Sequence, residues 1–109
     1  MAEVLKVLAQ QSPPASALTD AYVVPGATSA TCSSLTICNR NNADVTVSVS
    51  VAVGGAADAD EQYLYSDLPL TAHNTFIATV GLTLAASDVI RVKASSTAVA
   101  FQFFGVEVS

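Results

Sequence analysis

Residues Val45 to Val53 read Val-Thr-Val-Ser-Val-Ser-Val-Ala-Val, and no other stretch limits the fold so tightly. Valine holds every odd position; Thr, Ser or Ala holds every even one. A period of two over such a run places the valines on one face of a strand, whereas a helix would spread them around its circumference. The valine face is expected to be core, with Val49 at its centre among the most buried residues. The small hydroxyl face opposite suits water or another protein surface.

The rest of the chain repeats this pattern. Val4–Gln10 reads as a strand, broken by Ser12-Pro13-Pro14, because proline cannot donate to a ladder. Ala21–Val24 is short and is stopped by Pro25-Gly26. Thr28–Cys38 is longer, with Leu35 and Ile37 on one face and Cys32, Ser34, Thr36 and Cys38 on the other by parity. Asn39-Arg40-Asn41-Asn42-Ala43-Asp44 is a turn, since Asn and Asp tolerate left-handed backbone and bond their own amides. It leads into the valine strand, so the two flanking strands are predicted to pair as a hairpin. Gly54-Gly55 ends the valine strand. Ala56–Gln62 is then a loop or one helical turn. Tyr63–Tyr65, Thr75–Leu82 (interrupted near Gly81), Val89–Ala94 and Ala98–Val108 complete the series.

Short strands divided by Gly, Pro and Asn turns, with no sustained helical period, predict an all-β chain. The expected architecture is a single-domain antiparallel β-sandwich of about eight strands, most simply of jelly-roll type. Residues 1–16 stand apart as a candidate amino-terminal arm, carrying strand-forming Val4, Leu5, Val7 and Leu8 ahead of the prolines. Residues 17–109 form the sandwich.

Composition narrows the function. The 109 residues carry a net charge of −5, and only 12% are charged, against roughly 25% in ordinary soluble domains. Lys6, Arg40, Arg91 and Lys93 are the only basic residues, too few to displace phosphate counterions, so nucleic acid and acidic membrane surfaces are not expected partners. A surface of small uncharged side chains desolvates at little cost and favours lasting contacts, so a homo-oligomer is expected. The amino terminus lacks a signal-peptide layout, and no stretch reaches the eighteen or so apolar residues of a membrane span. Cys32 and Cys38 in one extended strand would be about 20 Å apart, beyond a disulfide's reach, so both are expected to be free thiols.

Chemistry-bearing residues are sparse. His73 is the only histidine and sits in a turn between Thr71 and Asn74, where a solvated role outweighs a catalytic triad. His73, Cys32 and Cys38 lack the spacing of a zinc site. Asp58, Asp60 and Glu61 form an acidic loop without the glycine and distal glutamate of an EF-hand, so solvation outweighs calcium binding. Gly54-Gly55 lacks the Lys-Ser/Thr of a phosphate loop. No enzymatic activity, cofactor or metal is expected. Tyr63 and Tyr65 share a face by parity and suit either a subunit interface or the rim of a core. Phe101 and Phe103 are expected to be core, and Phe104, beside Gly105, is a candidate contact with a neighbouring subunit.

One resemblance spans nearly the whole chain. Its residues are Val7-Leu8-Ala9-Gln10-Gln11-Ser12-Pro13, Leu18-Thr19-Asp20-Ala21-Tyr22-Val23-Val24-Pro25 and Leu35-Thr36-Ile37-Cys38-Asn39-Arg40. They continue through Tyr63-Leu64-Tyr65-Ser66-Asp67-Leu68-Pro69-Leu70, Asn74-Thr75-Phe76, Gly81-Leu82-Thr83-Leu84-Ala85-Ala86-Ser87-Asp88-Val89 and Phe104-Gly105-Val106-Glu107. In this order they resemble a family of small tailed-phage virion structural proteins. Ser87 stands where the family pattern implies a glycine. The resemblance implies a virion protein made in the host cytoplasm, first of all a capsid decoration (cement) protein that trimerises and binds the major capsid protein. The strand-forming Val4, Leu5, Val7 and Leu8, followed by prolines, make the amino-terminal segment the candidate docking arm. A tail fibre, baseplate or adaptor component is the alternative. A lectin-like ligand-binding jelly roll is the alternative from another class, disfavoured by the lack of tryptophan.

Overall fold

The computed structural model describes residues 2–109. Eight strands form: β1 (Glu3–Gln11), β2 (Thr19–Val23), β3 (Ser29–Asn39), β4 (Val45–Ala52), β5 (Tyr63–Leu70), β6 (Thr75–Leu84), β7 (Val89–Ala94) and β8 (Val99–Val108). Two short 3-10 turns, Val53–Gly55 and Asp60–Gln62, lie between β4 and β5. The strands make two antiparallel sheets. Sheet A has the order β1-β8-β3-β6 and sheet B the order β2-β7-β4-β5. The pairs β1·β8, β2·β7, β3·β6 and β4·β5 are nested, as in one long hairpin rolled up and divided between two layers. The all-β sandwich expected from the alternation is therefore present.

β3 and β4 do not pair. They belong to different sheets, which corrects the predicted hairpin. The turn between them is governed by Asn39, whose side chain is fully buried. Its Nδ2 donates to the carbonyls of Ala43 at 3.0 Å, Leu70 at 3.2 Å and Thr71 at 3.0 Å, while its Oδ1 accepts the Asn41 N–H at 2.9 Å. The turn is thereby bound to the β5–β6 turn, and the chain crosses from sheet A to sheet B there.

The valine strand behaves as expected over most of its length. Val45, Val47 and Val49 are buried, with Val49 at 0% exposure, and Val51 packs partly buried against the core. Val53 departs from the pattern and is 74% exposed. The strand ends at Ala52, and Gly54 and Gly55 adopt φ of 63° and 74°, turning the chain away. The hydroxyl face is not open water either. Ser48 and Ser50 are buried, Ser48 Oγ accepting the Asp67 N–H at 3.0 Å, and Ser50 lying between Arg91 and Tyr63 of the neighbouring strands.

A bulge at Ser33 changes the parity of β3. Cys32 and Leu35 both point into the core, although simple alternation puts them on opposite faces. Across the bulge β8 approaches so closely that a Cβ built on Gly105 would lie 2.0 Å from the Thr31 carbonyl oxygen. Only glycine fits there. Phe101 and Phe103, from the same strand, are fully buried as expected. At the β6–β7 turn, Ser87 has φ 72°, the left-handed conformation that a glycine would adopt more easily.

Residues 3–11 are not held off the body. β1 is the edge strand of sheet A, paired with β8 from Glu3 to Gln11, and Leu8 is buried in the core. This corrects the expectation of a separate arm; alternation alone cannot say which strand an amino-terminal segment will join. Near the same end, Tyr22 of sheet B donates its hydroxyl hydrogen to Glu107 of sheet A, and Lys6 Nζ reaches Glu107 at 3.3 Å. The Tyr22 bond, and then Lys6, hold the Glu107 carboxyl below the usual carboxylate range, against the desolvation that raises it. Burial, and then the neighbouring carboxylate, push the Tyr22 hydroxyl up.

Three outcomes are expected. Val49→Ala should lower unfolding free energy by about 1–3 kcal/mol and Val49→Asp should prevent folding, read by denaturant titration and soluble yield. Gly105→Ala should cost at least the roughly 1–3 kcal/mol of an overpacked site, because the obstacle is backbone rather than a movable side chain. Because the Glu107 pKa is lower in the folded chain, its contribution is full above the ordinary carboxylate range and is lost as pH falls through it. The melting temperature of Glu107→Gln should accordingly fall less than that of the wild type between about pH 5 and pH 3.

Candidate functional site

The two outer faces of the sandwich differ sharply in charge. On sheet B, Arg91 donates from Nε to Asp20 at 3.0 Å, and from its terminal nitrogens to the carbonyls of Ala56 at 2.7 Å and Gly55 at 3.3 Å. The loop after β4 is thereby fastened to that face. Beside it, Ser48, Asp58, Asp60, Tyr63, Ser66, Asp67 and Lys93 line a polar hollow of about 320 Å³. Tyr63 donates its hydroxyl hydrogen to Asp58 at 3.1 Å; burial first and this bond second raise its pKa.

The outer face of sheet A is nearly without charge, and its one hollow of note among the described residues, lined by Gln10, Gln11, Ser12, Ala100, Phe101 and Gln102, holds no ionisable side chain. Its outward rows run Leu5–Val106–Thr31–Thr83, Val7–Phe104–Ser34–Thr79 and Gln10–Gln102–Thr36–Ile77 across the four strands, followed by Ala100–Cys38–Thr75. Glu3, at one corner, is the only charged side chain among the described residues of this face. Leu5 is 86% exposed and Ile77 70% exposed, while Phe104 is half-buried between its neighbours. Four strands at about 4.8 Å spacing and ten residues of about 3.3 Å rise give a face of roughly 600 Å². That is close to the accessible surface each partner gives up in a standard interface, about 800 Å². Apart from Glu3, this face offers no charge that would have to be desolvated if another surface covered it.

The residues singled out from sequence fall on several surfaces. Phe104, Val7 and Leu5 lie on the sheet A face, and Val4, 51% exposed, at its edge. Tyr63 and Tyr65 do not share a face. A register shift sets Tyr63 opposite Ser50, facing outward, and Tyr65 opposite Val49, against the core. Tyr65 meets Phe76 of sheet A edge-to-face, with ring centroids 5.2 Å apart, and so closes the seam between the layers. Its role is the core rim, one of the two readings open from sequence. His73 is exposed in the β5–β6 turn at φ 56°, and its backbone N–H donates to Asn41. Cys32 and Cys38 are both free, on opposite faces of β3; Cys32 Sγ lies 3.4 Å from the Ser34 carbonyl oxygen, and burial raises its pKa. Among the described residues no three His, Cys, Asp or Glu side chains, the acidic loop of Asp58, Asp60 and Glu61 included, are grouped to hold a metal ion. No described helix is long and apolar enough to cross a membrane.

The sheet A face was only partly legible in the sequence. Phe104 was visible by parity with the core phenylalanines. Ile77 and the threonines of β6 carry an alternation that could have marked them as one outward row.

No protein-family model and no curated protein sequence matches the chain. Likeness appears among solved structures. A chain of the acid-stable capsid structure of Helicobacter pylori bacteriophage KHP30 superposes with a TM-score of 0.52 at 14% identity, over 99% of this chain and 98% of that one. The Anabaena sensory rhodopsin transducer gives a TM-score of 0.46 at 12% identity, over 85% and 84% of the two chains. At such identities the likeness to the phage capsid chain is one of fold, and it extends from end to end of both chains.

Proposed function

We propose that this chain is a structural component of a phage virion and, within it, a capsid decoration protein whose sheet A lies against the head lattice. The observation that carries this reading is the outer face of sheet A, which carries a single charged side chain, Glu3, at one corner. A chain with net charge −5 that keeps all but one of its charged side chains off a whole four-stranded face has a surface suited to permanent burial. The nested strand order supports reading the sandwich as a jelly roll, a fold used in viral capsid and lectin domains. The end-to-end fold likeness to a chain of a phage capsid, and the ordered phrases from Val7–Pro13 to Phe104–Glu107, point the same way.

Copy number tests the reading directly. Quantitative mass spectrometry of purified particles should find the chain at hundreds of copies, in simple proportion to the major capsid protein. A few tens of copies would assign it to the tail, and absence from particles would overturn a virion role. Phe104→Asp should leave the melting temperature near that of the wild type, since the side chain is half-exposed, yet weaken binding to undecorated heads more than about tenfold.

A further inference from the structure

We propose that the free edge of β1 pairs with the same edge of a second copy, antiparallel, about a twofold axis through Leu5. The inference rests on β1 alone and stands apart from the virion reading.

The hydrogen-bonding phase of β1 identifies its unused groups. Ala2 and Ser109 exchange both backbone bonds, at 2.8 and 2.9 Å. Bonded and non-bonded pairs alternate along an antiparallel ladder. Val4, opposite Glu107, and Lys6, opposite Gly105, therefore direct their backbone groups onto β8. Glu3, Leu5 and Val7 direct theirs to the open edge. All five residues from Glu3 to Val7 are exposed, Leu5 at 86%. The usual protections of an edge are weak here: no proline lies within β1, and its bulge comes only after Val7.

A second copy of the chain fits this edge best in one register. Centring on Leu5 sets Leu5 against Leu5, Glu3 against Val7 and Val4 against Lys6. All three outward-facing pairs then share the same bonding phase, giving six inter-chain backbone bonds. No charge faces a like charge. Centring on Val4 keeps the bonding phase but pairs only Glu3 with Leu5 among the described residues, four bonds in place of six; centring on Lys6 opposes two ammonium groups, and centring on Glu3 opposes two carboxylates. Centring on Val7 runs the partner across the bulge between Val7 and Ala9. The Leu5 register also joins Leu5, Val7, Phe104 and Val106 of both copies into one apolar band across an eight-stranded sheet. Burying that band's edge favours a second copy over a charged or strongly polar strand.

Sedimentation of the full chain across the micromolar range should show a dimer that dissociates on dilution. Leu5→Pro removes an N–H that faces only the open edge, so the folded monomer should persist while the dimer is lost. Leu5→Lys sets two cations opposite each other and should likewise give a monomer with the wild-type melting temperature at low concentration. Directly bonded pairs bring Cα atoms to about 5.5 Å, within disulfide reach. Leu5→Cys, made with Cys38→Ala, should therefore oxidise to a covalent dimer, whereas Val4→Cys in the same background should not. A monomeric or trimeric wild type would overturn the proposal, as would a dimer indifferent to Leu5→Lys. Cross-linking through Val4→Cys in preference to Leu5→Cys would overturn the register.

Discussion

The buried amide of Asn39 ties together the two turns at which the chain leaves and returns to sheet A around the β4–β5 hairpin. Two amide hydrogens serve three carbonyls, and the side-chain oxygen takes the Asn41 N–H. An asparagine is the side chain that can both donate and accept at such a site. Its partners lie in two turns far apart in sequence. A second set of bonds joins the same turns: the His73 N–H to the Asn41 carbonyl, and the Ala72 N–H to Asp44. With the β3–β4 and β5–β6 turns locked together, β3 lies beside β6 in one sheet and β4 beside β5 in the other. Among the described residues, β4 and β5 are the one pair of consecutive strands that share a sheet, and the other pairs nest around them.

Charge is distributed around this frame with economy. Sheet B holds the Arg91–Asp20 pair and the hollow around Lys93, and these polar groups fasten loops to their own sheet. Glu107 and Lys6 are used at the seam, where Tyr22 joins the layers. Little charge is left for the outer face of sheet A. A face of Thr, Ser, Val and Gln keeps its backbone bonds within the sheet and has almost no charge to desolvate when covered. Its readiness for contact thus follows from the spending of the chain's few charges elsewhere.

Close backbone approach keeps β8 paired to β3 across the bulge of sheet A. The bulge at Ser33 would push β8 outward if any side chain stood at position 105. Glycine there lets β8 stay in plane, so Phe104 and Val106 align in rows with Val7 and Leu5. The same bulge brings Cys32 into the core beside the residues that alternation places there.

Sequence alone determined the strands, because a two-residue period is a local property of each segment. The valine run, the phenylalanine pair of β8 and the Gly, Pro and Asn breaks mark most of the elements to within a few residues, although β5 runs past the expected Tyr63–Tyr65 through Pro69 to Leu70, because an edge strand can hold a proline. It also determined that the surface would be poor in charge. Tertiary structure decided everything that depends on which strands meet. The Thr28–Cys38 and Val45–Val53 segments look like a hairpin locally, yet a buried asparagine bound to a distant turn places them in separate sheets. Tyr63 and Tyr65 look alike by parity, but a register shift against β4 turns one outward and one to the core. Residues 3–11 look detachable, but β8 has an open side that they complete. Bulges and pairings arise from contacts between segments far apart in the chain, and a local pattern contains no record of them.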